Sequence, residues 1–411
     1  MPPSSRGPGR NPFKVKTRVR ISLEVLRSAE PRIFYLKFVI TFSCIFFLFV
    51  LSYMMFFLVR GRIPAHSVYG DVNMQRERIS ENVYWLQSEL YAQVTAGIIV
   101  GPQWAIVVDT LALPEETLAM REFIDNELKV PVRYLIDTHS HADHAWGNCF
   151  FPEATIIAHT KCAEYLAKYG TAALEATKHD NPSFEQSHIV LPHLTFDDGE
   201  LTLKVGKKNL IIMLTPGHTQ DGISVFVEDD RILFAGDAFM PIPALYEGNF
   251  VDQLNTYSKI NALGLENIVQ GHGDIILRGE IEDAMRENIN YMNKLKEVGE
   301  KARIKRNPGE YLSSVHVEDC GKSRVHLGGL AETLHKRNLI WIYKQVIAQY
   351  GMPTEEEYEP EPEDDDFDNL AYLDPNDLSA QDLQDGIDDY DGDDDWDDGY
   401  PDDDDDDDFD K

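Results

Sequence analysis

Residues 137–144 read Asp-Thr-His-Ser-His-Ala-Asp-His, directly after the apolar run Val132–Ile136. His139 and His141 are two apart on extended chain, so they project to the same side and can share one metal ion. Asp143 and His144 follow at the turn and can face a second. Imidazole and carboxylate are the ligands that a divalent, zinc-type ion accepts. The competing reading is a chance polar loop. At this chain's own His and Asp frequencies such a match is expected on the order of once in a thousand chains.

Other segments end in the same residue types. Leu214-Thr215-Pro216-Gly217-His218 puts a His just past an apolar run, and Leu233-Phe234-Ala235-Gly236-Asp237 puts an Asp past the next. Ile268-Val269-Gln270-Gly271-His272-Gly273 sets a third His between two glycines. One His at a strand end is ordinarily a satisfied surface or core residue. Four strand ends delivering His or Asp, with Gly beside three of them to let the backbone crowd in, form a constellation.

With these residues in place the chain resembles the metallo-β-lactamase superfamily, over about residues 80–278. The resemblance implies an α/β fold, a four-layer αββα sandwich with its site along one edge of the sheets. Position by position, His139, His141 and His218 resemble the first metal's ligands. Asp143, His144 and His272 resemble the second's, and Asp237 the bridging carboxylate. Asp109, ending an earlier strand, resembles the family's Asp that orients a ligand rather than binding metal. The implied cofactor is a pair of zinc ions, with iron or manganese as alternatives. Such a pair lowers the pKa of a held water towards neutrality and polarises the scissile carbonyl or phosphoryl group. Asp143 is in addition the expected catalytic proton acceptor. The reaction class is hydrolysis of an ester, thioester, lactone or amide-type small molecule.

Positioning these residues requires strands that end together. Gly97–Val100 and Trp104–Val108 read as a hairpin around Gly101-Pro102-Gln103, as do Leu201–Val205 with Leu210–Leu214 and Ile223–Val227 with Arg231–Phe234. Val132–Ile136 and Thr155–Ala158 read as single strands. Pro114 to about Leu128 reads as a helix with Pro in its first turn. Helical periodicity follows at about 252–264, 277–303 and 331–349. Strands arriving both as hairpins and singly between helices predict layered sheets covered by helices. The expected organisation is a basic segment (1–37), a membrane anchor (38–59), a linker (60–79), the catalytic domain (80–278), a helical extension (279–350) and an acidic disordered tail (351–411).

Substrate has to come from other residues, because one fold hosts many chemistries. Asp237 argues against true β-lactamases, whose subclasses generally carry Cys or Ser there. The Cys-Gly-Arg/Lys segment of glyoxalase II is missing after Asp237, and Met240 stands where the quorum-quenching lactonases place a Tyr. Tyr246, His179 and His188 are the weak candidates for substrate contact, Tyr246 being read first as a packed loop aromatic. Nucleic acid is not expected, since 34 residues between Asp237 and His272 leave no room for a clamp domain. The body of the chain is also mildly acidic, where phosphate binding wants a basic face. Lys294, Lys296, Lys301, Arg303, Lys305 and Arg306 read as a solvated helix face. Two alternatives stand beside the hydrolase: a mononuclear-iron sulfur dioxygenase using three of these ligands, and a non-catalytic anchored binding protein.

The net charge of −33 over 411 residues says little about this site, because −29 of it lies in the last 58 residues. That tail alternates acidic runs with isolated aromatics and has few aliphatic residues to bury, so disorder is expected. A basic partner or cations are its possible ligands. Phe38–Val59 is 22 residues without a charge, enough to span a bilayer as a helix. Nine Lys/Arg in residues 1–37 favour a cytoplasmic N-terminus, with the catalytic domain on the opposite side of the membrane. Four cysteines are too few for a disulfide framework, although Cys149 and Cys162 could pair.

Overall fold

The computed structural model of the protein describes residues 74–358 and the backbone of two short strands, β1 (Phe13–Val15) and β2 (Val19–Arg20). The apolar run Phe38–Val59 and the acidic tail beyond residue 358 lie outside the described residues. Among the described residues no helix is long and apolar enough to cross a membrane.

Alternation of apolar side chains builds the sandwich. In β6 (Ala105–Val108), Ile106 and Val108 face one apolar cluster while Ala105 and Val107 face another. β7 (Val132–Ile136) divides likewise, with Tyr134 and Ile136 on one side and Val132 and Leu135 on the other. Strands buried on both faces have to be covered on both faces. One sheet has the order β2-β9-β8-β7-β6-β5-β4-β3. Its strands are β3 (Met74–Ser80), β4 (Val83–Ser88), β5 (Thr95–Val100), β6, β7, β8 (Thr155–His159) and β9 (Leu194–Phe196), with β2 at the edge. β3 to β6 run antiparallel, and β6 to β9 run parallel.

The second sheet has the order β1-β10-β11-β12-β13-β14-β15. It comprises β10 (Glu200–Val205), β11 (Lys208–Leu214), β12 (Ile223–Val227), β13 (Ile232–Phe234), β14 (Asn267–Val269) and β15 (Ile276–Leu277). Ile223, Val225 and Val227 of β12 point at the first sheet, and Phe226 points away. The two mixed sheets therefore share one core. Gly97 sits where they press closest, since a Cβ there would lie 2.2 Å from the Phe234 ring.

Helices close the outer faces. α1 (Pro114–Phe123), extended by a π-helical turn over Ile124–Leu128, packs Met120, Phe123 and Ile124 on the first sheet. Next in the chain come the short α2 (Ala142–Ala145), then α3 (Thr160–Tyr165) and α4 (Thr171–Asp180). The second sheet is covered by α5 (Phe250–Asn261) and α6 (Ile281–Arg303), followed by α7 (Pro308–Ser314) and α8 (Ala331–Tyr350). The three hairpins occur at the predicted positions. Lys294 and Lys296 pair with Glu297 and Glu300 on the outside of α6, a solvated face. Cys149 and Cys162 are free thiols.

Candidate metal centre

Asp109, His139, His218, Asp237 and His272 each follow the C-terminal end of a strand: β6, β7, β11, β13 and β14 in turn. β13 and β14 are parallel, and β11 is two antiparallel steps from β13, so these ends point the same way. Backbone bonds lock the two sheet edges together there. Ile223 N–H donates to Thr138 O at 2.8 Å, and Thr95 N–H to Gly271 O at 2.9 Å. Gly271 is required by the crowding, because a Cβ on it would stand 1.9 Å from Asp237 Oδ1. α2 begins directly after His141 and carries Asp143 and His144 in its single turn.

Two groups result, His139–His141–His218–Asp237 and Asp143–His144–His272, each with its ligand atoms within 4.8 Å of one another. His141 Nδ1 lies 3.0 Å from His139 Nε2 and 3.1 Å from His218 Nε2. Asp237 stands between the groups. Its Oδ2 is 3.4 Å from His218 Nε2 and 3.6 Å from His272 Nε2, while Oδ1 is 3.3 Å from His144 Nε2. Asp143 Oδ2 lies 3.3 Å from His272 Nε2.

The far nitrogens decide what the near ones can do. His144 Nδ1 is held by Asp109 Oδ2 at 2.9 Å, His218 Nδ1 by Ala244 O at 2.9 Å, and His272 Nδ1 by Ala92 O at 3.0 Å. His141 Nε2 meets Glu247 Oε2 at 3.0 Å. Thr138 Oγ1 donates to Asp109 Oδ2, which leaves it to accept from His139 Nδ1 at 3.1 Å. Each ring thus donates outward, so its inward nitrogen offers a lone pair once that nitrogen is deprotonated. His144 Nε2 and Asp237 Oδ1, both buried, have no hydrogen-bond partner. Converging lone pairs, a central carboxylate and orphaned buried acceptors fit divalent cations.

The charges set how readily the inward nitrogens give up a proton to an ion. Burial holds His139 and His218 below the usual histidine range, with neighbouring imidazoles adding to it. Burial would also lower His141 and His272, but Glu247 raises the first to about 9 and the Asp237 and Asp143 carboxylates raise the second to about 10. Burial works against the Asp143 carboxylate, yet His144 and His272 bring it down to about 2. Ion uptake therefore competes with protons.

Every predicted ligand is at this centre, and Asp109 touches His144. Tyr246 lines the cavity above the site, whereas His179 and His188 are exposed and do not. Sequence reasoning missed Glu247 and Asp221, whose Oδ2 accepts from Ser140 N at 2.8 Å. It also missed three buried amides that hold the chain between Asp237 and Glu247. Gln253 of α5 donates to Ala238 O at 2.8 Å, Asn288 of α6 to Met240 O at 3.0 Å, and Asn338 of α8 to Pro243 O at 2.7 Å. Asn338 Oδ1 also accepts from Leu245 N at 2.8 Å.

Comparison with known proteins bears on the fold and the family. The model of the metallo-beta-lactamase superfamily matches residues 91–281. That stretch is similar to the metallo-beta-lactamase superfamily domain. The acyl-coenzyme A thioesterase MBLAC2 of Homo sapiens is 26% identical over 205 residues, 44% of this chain and 70% of the relative. The hydroxyacylglutathione hydrolase of Rhodopseudomonas palustris (strain HaA2) is 30% identical over 131 residues, 31% of this chain and 43% of the relative. The solved sec-alkylsulfatase Pisa1 from Pseudomonas sp. superimposes with a TM-score of 0.52 at 14% identity, covering 68% of this chain and 51% of that one. At that identity the likeness is one of fold. Both sequence relatives are named as hydrolases.

Proposed function

We propose that this chain is a zinc-dependent hydrolase of acyl esters or thioesters, with one ion at His139, His141, His218 and Asp237 and a second at Asp143, His144, His272 and Asp237. The observation that carries the reading is the outward donation of every ligating ring, which aims every inward nitrogen at the centre to bind an ion in place of a proton. Completeness of the second group supports two ions over the single iron of a dioxygenase.

When bound, the ions supply Lewis acidity, acidifying a water and polarising the carbonyl. The residues do the rest. Asp237, reaching both groups, fixes their separation. Asp109, Glu247, Ala244 O and Ala92 O hold the rings in one orientation, so little reorganisation accompanies reaction. Asp143 is the less buried of the two ligating acids, its side chain 15% exposed against 5% for Asp237, and serves as the proton acceptor. Water oxygen bonds to the carbonyl carbon, the C–S or C–O bond breaks, and the departing thiolate or alkoxide takes the proton that Asp143 held. Chelation, or His141→Ala, should abolish hydrolysis across a panel of thioesters, lactones, lactams, phosphodiesters and a secondary alkyl sulfate. Undiminished turnover after either treatment sinks the proposal.

Phe38–Val59 is the proposed tether, on the strength of its length and lack of charge. A single crossing with the domain opposite the N-terminus excludes the pairing of β1 with β10 and of β2 with β9. Protease protection in sealed vesicles separates the two arrangements. Digestion of the head but not the domain supports the single crossing, and equal digestion of both overturns it.

A further inference from the structure

The metal centre opens into a cavity of about 170 Å³. Its floor includes His141, Asp143, His218, Asp237 and His272, and its walls are mostly apolar. Leu113, Trp146 and Phe184 form one side. A second apolar patch in the lining comes from Leu327, Leu330 and Leu334, on the turn before α8 and on α8 itself, which pack with a different apolar cluster. These three leucines lie beyond residue 281, outside the stretch that matches the superfamily. The chain reverses sharply to bring them there. Leu327, Gly328 and Gly329 have φ of 58°, 65° and 94°, so the glycines take up a left-handed turn that other residues resist. Leu327 is consequently 3% exposed while Val325, two residues earlier, is 73% exposed.

Chemistry narrows what fits. Arg337 is the one Lys or Arg among the described residues lining the cavity. Its guanidinium lies 5.6 Å over the Tyr246 ring and its charge acts on Glu247. A polyanion would meet little else that is positive besides the metal ions. Apolar walls leading away from a polarised carbonyl suit the hydrocarbon of an acyl group. An apolar cavity of about 150 Å³ is known to take up benzene, with its six carbons, and this one is of similar size.

We infer that the C-terminal extension turns the metal centre into a selective site for medium-chain acyl groups, with room for about six carbons. This rests on the hydrolase reading above and specifies its substrate class. The carbonyl sits at the ions and the chain runs along Trp146, Phe184 and the three leucines. The leaving thiol or alcohol points out through the mouth.

The test uses the full chain, zinc-loaded, with acetyl, hexanoyl and dodecanoyl thioesters of N-acetylcysteamine. Each buried methylene is worth about fourfold in kcat/KM. The value should therefore rise on the order of a hundredfold from acetyl to hexanoyl, then change only a few-fold to dodecanoyl. Leu330→Asn and Leu334→Gln, made singly, should each cut the hexanoyl-to-acetyl ratio about tenfold. Binding of S-hexyl and S-ethyl thioether analogues, followed by calorimetry on unmutated protein, should favour hexyl at least tenfold and needs no turnover. Metal-dependent hydrolysis with no chain-length preference, or an unaltered ratio in both folded variants, overturns the acyl wall and leaves the hydrolase reading standing. Tight hexyl binding without hydrolysis of any thioester overturns the hydrolase reading instead. Equal binding of hexyl and ethyl counts against the pocket whatever the activity.

Discussion

Asp237 and Gly271 show how little slack the metal centre has. A methyl group on Gly271 would lie 1.9 Å from Asp237 Oδ1 and 2.6 Å from the carbonyl carbon of Gly236. Gly271→Ala should therefore push the central carboxylate aside and cost about a hundredfold in kcat, since displacements near 1 Å have that effect. Bound zinc should fall with it; wild-type kinetics in this variant would contradict the proposed role of Asp237. Glu116 is a second sensitive residue, fully buried in α1. Burial lifts its carboxyl from 4.5 to about 7, and Ser88 with the Glu89 backbone offsets this only in part. The folded state thus favours the protonated form. That contribution is complete below about pH 4.5 and lost as pH rises through 7. Glu116→Gln should accordingly stabilise the protein at pH 8, by up to about 3 kcal/mol, with a smaller gain at pH 5.5. Thermal melts at the two pH values check this, and an equal shift at both would refute it. The ligands themselves were legible in sequence because each sits within a few residues of an apolar strand, in types that mean metal. Glu247 was not, because a lone Glu ten residues past Asp237 carries no pattern.

At the scale of elements, the segment between β13 and α5 links the ligands to the extension. It supplies Ala244 O to His218 and Glu247 to His141, so two of the three histidines in the first group take their orientation from it. Three helices grip it through Gln253, Asn288 and Asn338, amides that are between 0% and 2% exposed. Asn338 is itself tied to Tyr291 Oη at 3.1 Å, and that hydroxyl donates to His335 Nδ1, which burial keeps neutral by lowering it to about 4. Asn338→Ala strands Leu245 N–H and Pro243 O in a buried setting, which costs about 1–3 kcal/mol for each group left unpaired. It should also weaken zinc binding about 10- to 100-fold, the usual effect of losing an outer support of a ligand. Chelator competition separates the two effects. A lower melting temperature with unchanged zinc affinity would reduce Asn338 to a packing residue. The hairpins and long helices were readable from alternation and helical period, as β12 and α6 illustrate. The amide clamps were not, because their partners are backbone atoms as many as 95 residues away, and Asn and Gln leave no spacing signature.

Across the whole molecule, charge and chemistry are separated. The tail holds most of the net −33, while the metal centre relies on a few acids set among histidines. The two sheets deliver strand ends to one edge, the amide clamps fix the segment beside them, and the extension walls the cavity above. Two cations at that edge are the claim on which the mechanism and the predicted losses of zinc depend. Elemental analysis of the full chain, loaded with zinc and dialysed free of excess metal, tests it most directly. Two zinc ions per chain are predicted; a single tightly held iron, or no retained metal, would contradict it.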